Sequence, residues 1–535
     1  MTLRPFHQAS WNEPIVHELS TPGERGIIPP ELEPSLVDNG GDPLAGLPSG
    51  LRRSRRPELP ELSQQRVLRH YMRLSQETLG NDVNLHLGLG TCTMKYSPKV
   101  NEELVRSHKV TDLHPLQDED TVQGMLEVLY RFEQMLCEIS GLHRFTFQPA
   151  GGSQGVYANA RMISAYHAGR GEAHRDEIIT TIFSHPCDGA GPATAGYKVI
   201  TVYAGEDGYP EPDAIRRAVS ERTAGLMITN PEDTGLFNPH IDEIVQIVHD
   251  AGGLCHYDQA NANGILGITR AGDAGFDLCQ FNLHKTFSSP HCSMGMPVGA
   301  CGVRAELAPF LPVPTVEYDG ARYRLAYDRP QSVGKIRAFH GVPATVVRSF
   351  AWVLSLGAEG LREVAQTAVL NNNYLASRLA DVPGLAVSFA DTNPARRLEQ
   401  IRYSLAKLLQ DTGVGTLDVG RRTTDFGVAT YFASHEPWVI PEPMTLEPSE
   451  SYSRADLDEY AEIIGTVARE AYEDPDTVLS SPHRSTVHKL DLEPHDDPER
   501  WALTWRAYQR KYGGRGRHGA ARRFDQRDRP GLTPA

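Results

Sequence analysis

Apolar positions change their spacing along the chain. From about residue 120, Val122, Met125, Leu126, Leu129, Phe132, Leu136 and Ile139 recur every three or four positions, and Gly141 follows as a stop. That is the period of an amphipathic helix. Beyond it come short, nearly continuous apolar runs: EIITTIF (177–183), KVITVYA (198–204), AGLMITN (224–230), GLCHYD (253–258) and DLCQFNL (277–283). Such runs, rich in β-branched and aromatic residues, predict buried strands. Between two of them, Ile241, Ile244, Val245 and Val248 return to helical spacing. Alternating strands and helices predict an α/β fold with a large parallel-type sheet covered by helices. Its active site is expected at the carboxyl ends of the strands.

The pattern also divides the chain. Residues 1–65, rich in Pro, Gly and charge, read as an extended N-terminal arm whose RRSRRPELPEL run (52–62) is a solvated linker rather than a nucleic-acid contact. Residues 66–330 form a large domain. Residues 331–510 form a smaller α+β domain, with helical spacing over 343–381 and a β-like run, DFGVATYFA (425–433). Residues 511–535, Gly- and Arg-rich with almost no apolar content, read as a disordered basic tail.

Composition narrows the class. With 40% apolar and 23% charged residues the chain is an ordinary globular one, not disordered, collagen-like or a membrane bundle. A net charge of −15 makes it a poor general binder of nucleic acid or anionic membrane. The seven cysteines are odd in number and form no CxxC pair, so reduced thiols in a cytoplasmic protein are expected. The first residues lack the apolar core of a secretory signal, and no run approaches the length needed to span a bilayer.

The chemistry concentrates at two strand ends. Asp258 closes HYD and Lys285 follows FNLH. A lysine that can form a Schiff base, next to a carboxylate that can hold a proton on a pyridine nitrogen, suits pyridoxal 5′-phosphate. His284 adjoins the lysine. Upstream, QPAGGSQG places Gly152, Ser153 and Gln154 at a helix start, a natural phosphate cradle. His185, after the first strand, could stack on the ring. Asn230 could bond the ring hydroxyl or shape its own turn. Arg337 in SVGKIR and Thr93 in TCTMKY are candidates for substrate contact, Arg337 against the alternative of a surface charge. No GK[ST] follows the glycines, so a Walker loop is excluded, and GLGT (88–91) lacks the third glycine of a dinucleotide fingerprint. His284, His291 and Cys292 match no closed zinc set, and no metal is expected.

These residues sit in longer matching segments: LGLGTCTMKYSPKVNEEL (87–104), HPLQDEDTVQGMLEVLYRFEQMLCEISG (114–141), TNPEDTGLF (229–237), YDQANANG (257–264), FNLHKTFSSPH (281–291), DRPQSVGKIRAF (328–339) and EPSESYS (447–453). Together they resemble the pyridoxal-phosphate subunit of glycine decarboxylase, the P-protein of the glycine cleavage system. The match is to the lysine-bearing half that many bacteria make as a separate subunit 2. The resemblance implies the type I fold of pyridoxal-phosphate transferases, with Lys285 as Schiff-base lysine, Asp258 as pyridine partner, Ala260 packing on the ring and His185 stacking on it. It implies glycine as substrate, the lipoyl arm of H-protein as acceptor of the aminomethyl group, and a companion subunit 1 in an α2β2 assembly. A homodimer is the alternative.

The chain also departs from the family. It reads PHCSMGMPVG where the family has a glycine-rich PHGGGGPG-like loop, SHPCDGAGPAT where the family has AHGTNPAS, and YDQAN where the family has YDGAN. A specialised paralogue, a decarboxylase, lyase or aminotransferase acting on another amino acid, is therefore the runner-up. A non-catalytic scaffold subunit is the third reading, and the presence of Lys285 opposes it.

Overall fold

In the computed structural model all five expected strands form, with limits within two residues of those read from the sequence. The structure describes residues 3–490, less 43, 56, 81, 82, 86, 88–91, 94, 291–295 and 429–432, together with residue 509. The GLGT segment, His291, Cys292, most of the PHCSMG loop and the basic tail lie outside the described residues.

Seven strands make the main sheet: β1 (Arg144–Thr146), β2 (Glu177–Thr181), β3 (Lys198–Val202), β4 (Thr223–Thr229), β5 (Leu254–Asp258), β6 (Leu278–Asn282) and β7 (Gly299–Val303), in the order β1-β7-β6-β5-β4-β2-β3. The run β3-β2-β4-β5-β6 is parallel, and β7 is antiparallel to both its neighbours. Every residue of β5, β6 and β7 is buried, which is why these strands read as continuous apolar runs rather than alternations.

The two faces of the sheet are nevertheless different. Cys255, Tyr257, Cys279 and Phe281 point into one apolar core, beneath the helices Gln123–Ser140 and Ile241–Asp250. On the opposite face, under the helix Gly152–Gly169, Leu254 and Leu278 give way towards the carboxyl ends to polar side chains. His256 meets Asn159 of that helix at 3.0 Å, and Gln280 donates to Asp258 at 2.9 Å. The helix lies almost on β6: a Cβ at Gly155 would fall 2.0 Å from Gln280 Oε1. The glycine is what lets a polar layer fit between helix and sheet.

A hairpin of β8 (Thr315–Tyr318) and β9 (Tyr323–Ala326) leads to the long helical stretch Pro343–Leu379, which kinks at Gly357, where φ is 64°. Its early part, with Trp352 and Val353, packs on the first core, and Leu375 and Leu379 belong to a second. That second core lies against the antiparallel sheet β10 (Ala386–Val387), β11 (Ile401–Ser404) and β12 (Pro443–Leu446), under the helix Arg454–Glu473. Of the expected β-like run 425–433, the described residues show a 3-10 turn at Thr424–Phe426, a left-handed Gly427 at φ 82° and isolated bridges at Val428 and Ala433, and residues 429–432 lie outside the described residues.

The described residues among Met1–Pro5 and Asn81–Ser481 form one compact unit, and Phe6–Gly80, with the described residues from Pro482, form another. In the latter, the helix Gln64–Gln76 carries His70 and Arg73, both paired with Glu13 at 3.0 Å. Residues 34–40 form a short helix with no buried residue. Among the described residues no helix is long and apolar enough to cross a membrane.

The turn that carries Lys285 is anchored from below by Phe287, wholly buried, whose ring meets Phe281 at 5.4 Å, Phe132 at 6.0 Å and Trp352 at 6.2 Å. Phe287→Ala is expected to destabilise the chain by about 3–5 kcal/mol, the usual cost of such a cavity, as read by denaturant unfolding.

Candidate active site

Adjacent parallel strands set the two central residues side by side. Asp258 is the last residue of β5 and pairs in register with Gln280 of β6. Its Oδ1 accepts from the Ala260 amide at 2.8 Å and from Gln280 Nε2 at 2.9 Å, and its Oδ2 lies 3.8 Å from the Cys187 thiol. Lys285 follows β6 in a tight turn, its amide bonded to the Asn282 carbonyl at 3.0 Å. Thr286 Oγ1 accepts from the Ala262 amide at 2.9 Å, which ties this turn to the loop after Asp258. Asp258 and Lys285 are both almost wholly buried, at 3% and 4% exposure.

The glycine turn faces the same strand ends. Gly151 has φ 90°, a backbone conformation that side chains resist, and the helix starts at Gly152. Gln154 Oε1 accepts from the Ala150 amide at 2.6 Å and so closes the turn. A Cβ at Gly152 would lie 3.0 Å from Asn282 Nδ2. Ser153 is exposed. His284 lies against this cradle, with its ring 3.6 Å from where a Gly151 Cβ would stand.

His185 follows β2. Its Nδ1 accepts from the Cys187 amide at 3.1 Å, which places the ring proton on Nε2, and the Cys187 thiol is 2.9 Å away. Burial, then the charge of Lys285, hold its pKa below the ordinary histidine range, so the imidazole is neutral at pH 7. Its ring meets that of His435 edge-on at 5.7 Å.

Other candidates fall differently. Asn230 Oδ1 accepts from the Asn238 amide at 2.8 Å and its carbonyl from Tyr257 Oη, so its contacts shape the turn. Ala260 is buried beside Asp258. Arg337 is half-buried outside any helix and reaches the Pro297 carbonyl at 3.5 Å. Thr93 is buried and faces Glu447.

Glu447, the first residue of the EPSESYS segment, was not singled out as a site residue from the sequence. It stands just past β12. Its Oε1 accepts from Asn261 and, at 3.2 Å, from Asn263. Burial pushes its pKa up to about 7, while its hydrogen bonds and the charge of Lys285 act the other way. Nearby, Lys95 is buried with its ammonium 2.9 Å from Glu450 and 4.7 Å from the Trp352 ring. The TCTMKY and EPSES motifs are thus one packed unit, joined through Thr93–Glu447 and Lys95–Glu450.

A second buried group was also missed. Arg402 of β11 is fully enclosed, 2.6 Å from Asp233 and 3.1 Å from Glu436. His435 Nδ1 lies 3.4 Å from Asp233. Burial alone would raise the Asp233 carboxyl, but His435 and Arg402 outweigh it and hold it below the usual range. This network fixes the loop after β4, which faces His185, to the second sheet.

A buried lysine and aspartate at adjacent carboxyl ends of a mixed α/β sheet, with a glycine cradle opposite, define an enzyme of the type I fold. Solved structures share that architecture. A glycine decarboxylase (P-protein) of the glycine cleavage system, in inhibitor-bound form, superposes with a TM-score of 0.67 at 20% identity, covering 82% of this chain and 99% of that one. A NifS-like protein superposes with a TM-score of 0.54 at 15% identity, over 72% of this chain and 100% of its own. Residues 364–490 match the family model of the glycine dehydrogenase C-terminal domain. A probable glycine dehydrogenase (decarboxylating) subunit 2 of Pyrococcus abyssi is 42% identical over 94% of this chain and 98% of its own. One from Caldanaerobacter subterraneus is 41% identical over 89% and 96%. The chain belongs to the glycine dehydrogenase (decarboxylating) subunit 2 family.

Removing the guanidinium would leave Asp233 and Glu436 buried without a counter-charge. Arg402→Met is expected to cost about 3–5 kcal/mol at neutral pH. The folded pKa of Asp233 is depressed, so the stability this pairing supplies is present above the unfolded carboxylate pKa and fades as pH falls through the folded one. Melting curves of wild type and variant should therefore converge in acid.

Proposed function

We propose that this chain is the pyridoxal-phosphate subunit of a glycine-cleaving enzyme, decarboxylating glycine and passing the aminomethyl group to the lipoyl arm of an H-protein. The observation that carries the reading is the pair Asp258–Lys285 at adjacent strand ends, in a chain 42% identical to such subunits along 94% of its length.

The residues fit that cofactor. The Gly151–Gly152 turn leaves a cradle that a Cβ would fill, at the start of an 18-residue helix whose free amides favour a phosphate. Asn282 Oδ1 beside it is buried and without a protein donor. Lys285 would hold the aldehyde carbon, Asp258 the pyridine nitrogen, and Gly152, Ser153 and Gln154 the phosphate. His185 and Ala260 would flank the ring. When bound, pyridoxal phosphate supplies an electron sink for the pair released as the substrate carboxylate leaves as carbon dioxide.

The protein's own groups then divide the work. Two N–H groups, from Ala260 and Gln280, hold Asp258 Oδ1 in place. When its Nζ is free, Lys285 would be able to hold or move a proton at the substrate. Glu447, with a pKa near 7 and in the field of Lys285, can take or return that proton. Neutral His185 offers its face without adding a competing charge. Arg337 and Thr93 remain the substrate-side candidates, and His284 supports the cradle. We further place the chain in the cytoplasm with a companion subunit 1, in an α2β2 assembly rather than as a homodimer.

The test is release of labelled carbon dioxide from carboxyl-labelled glycine, with and without lipoylated H-protein and a companion subunit. Lys285→Ala should abolish the visible absorbance of the lysine-bound cofactor and lower the rate on the order of 10⁴-fold or more. Turnover of a different amino acid with no release from glycine would reject the proposal.

A further inference from the structure

Beside Asp258 stands a second buried carboxyl that the reaction described above does not use. Asp188 lies in the first turn of the helix Cys187–Ala195 and has no solvent exposure. One ligand atom each of Cys187, Asp188 and Asp258 lie within 4.8 Å of one another. Neither oxygen of Asp188 receives a hydrogen bond from a protein N–H or hydroxyl. Its carboxyl faces that of Asp258 instead. Two carboxylates this near in a dry interior disfavour double ionisation, which favours one proton held by the pair.

The surroundings decide which one carries it. Asp258 has the Ala260 amide and Gln280 Nε2 on its Oδ1, and His185 lies in its field. Asp188 has no such donors and is faced by Asp258 from β5 and by Asp233 and Glu232 from the loop after β4. On its own element the neighbour is the Cys187 thiol, which burial keeps protonated. Burial first, and Asp258 second, raise the Asp188 carboxyl well above the ordinary range.

We propose that Asp188 is a positioning residue for the cofactor's aspartate: the pair holds one proton, carried on Asp188 and donated to Asp258. The inference rests on the pyridoxal-phosphate reading of Asp258. The neutral donor fixes the Asp258 carboxylate in the place where it would meet the pyridine nitrogen. Ionised, Asp188 would repel Asp258 and push it out of that place.

The full chain with Asp188→Asn and Asp188→Ala separates this from a packing role. Asparagine keeps a donor of the same shape and cannot ionise, whereas alanine keeps neither donor nor shape. Two measurements apply: melting of the cofactor-free chain across pH, and affinity for added pyridoxal phosphate read from its absorbance on Lys285. In the unfolded chain Asp188 ionises at about pH 4. Its folded pKa is raised, so wild type should lose stability relative to the asparagine variant as pH climbs above that value.

In mild acid the asparagine variant should bind the cofactor within about threefold of wild type, and the alanine variant about tenfold more weakly, the effect of one hydrogen bond to a charged group. With rising pH only wild type should fall further below the asparagine variant. A pH-independent gap in melting, or asparagine binding as weakly as alanine in mild acid, would overturn the inference. Should wild type itself bind no pyridoxal phosphate, the cofactor reading fails, and the melting comparison still decides where the proton lies.

Discussion

Keeping charge in a dry interior is the constraint on which this structure depends. Asp258 and Lys285 stand at the ends of strands buried on both faces, where an unpaired charge is expensive. Much of the nearby architecture answers that cost. Gln280 comes from the neighbouring strand in register to bond Asp258, and Ala260 turns back to offer its amide. Glycine at 155 gives Gln280 room beneath the helix. The sheet thus supplies an apolar core on one face and a hydrogen-bonded polar layer on the other, from strands that share one composition.

The second sheet is part of the same solution. β11 brings Arg402 to Asp233, and β12 brings Glu447 beside Asn261 and Asn263. Neither strand is near the main sheet in sequence. Both deliver charged side chains into buried positions where a partner is already waiting. The kinked helix Pro343–Leu379 makes this possible, because its apolar residues belong successively to the two cores. Catalytic machinery and domain packing therefore share residues, and damage to one is felt in the other.

The glycine dehydrogenase family supplies the scaffold, and the chain's own substitutions fall around Asp258. Cys187 and Asp188 lie in the segment that departs from the family pattern after His185, and Gln259 follows Asp258 directly. Each is buried, so each must settle its polar atoms against fixed neighbours rather than water.

By itself the sequence determined the strands, the helix Gln123–Ser140 with its glycine stop, the Asp258–Lys285 pair and the glycine cradle. These are local facts: apolar spacing sets the elements, and residues at strand ends must meet if the strands are parallel neighbours. Only the tertiary structure brought out Glu447, Arg402 and Asp188. Their significance lies in burial and in partners such as Asn261, Asp233 and Asp258, far off along the chain, and one-dimensional spacing holds no record of either. Electrostatics in a low-dielectric interior is set by distance in space, so the proton inventory of this site could be read only once the chain was folded.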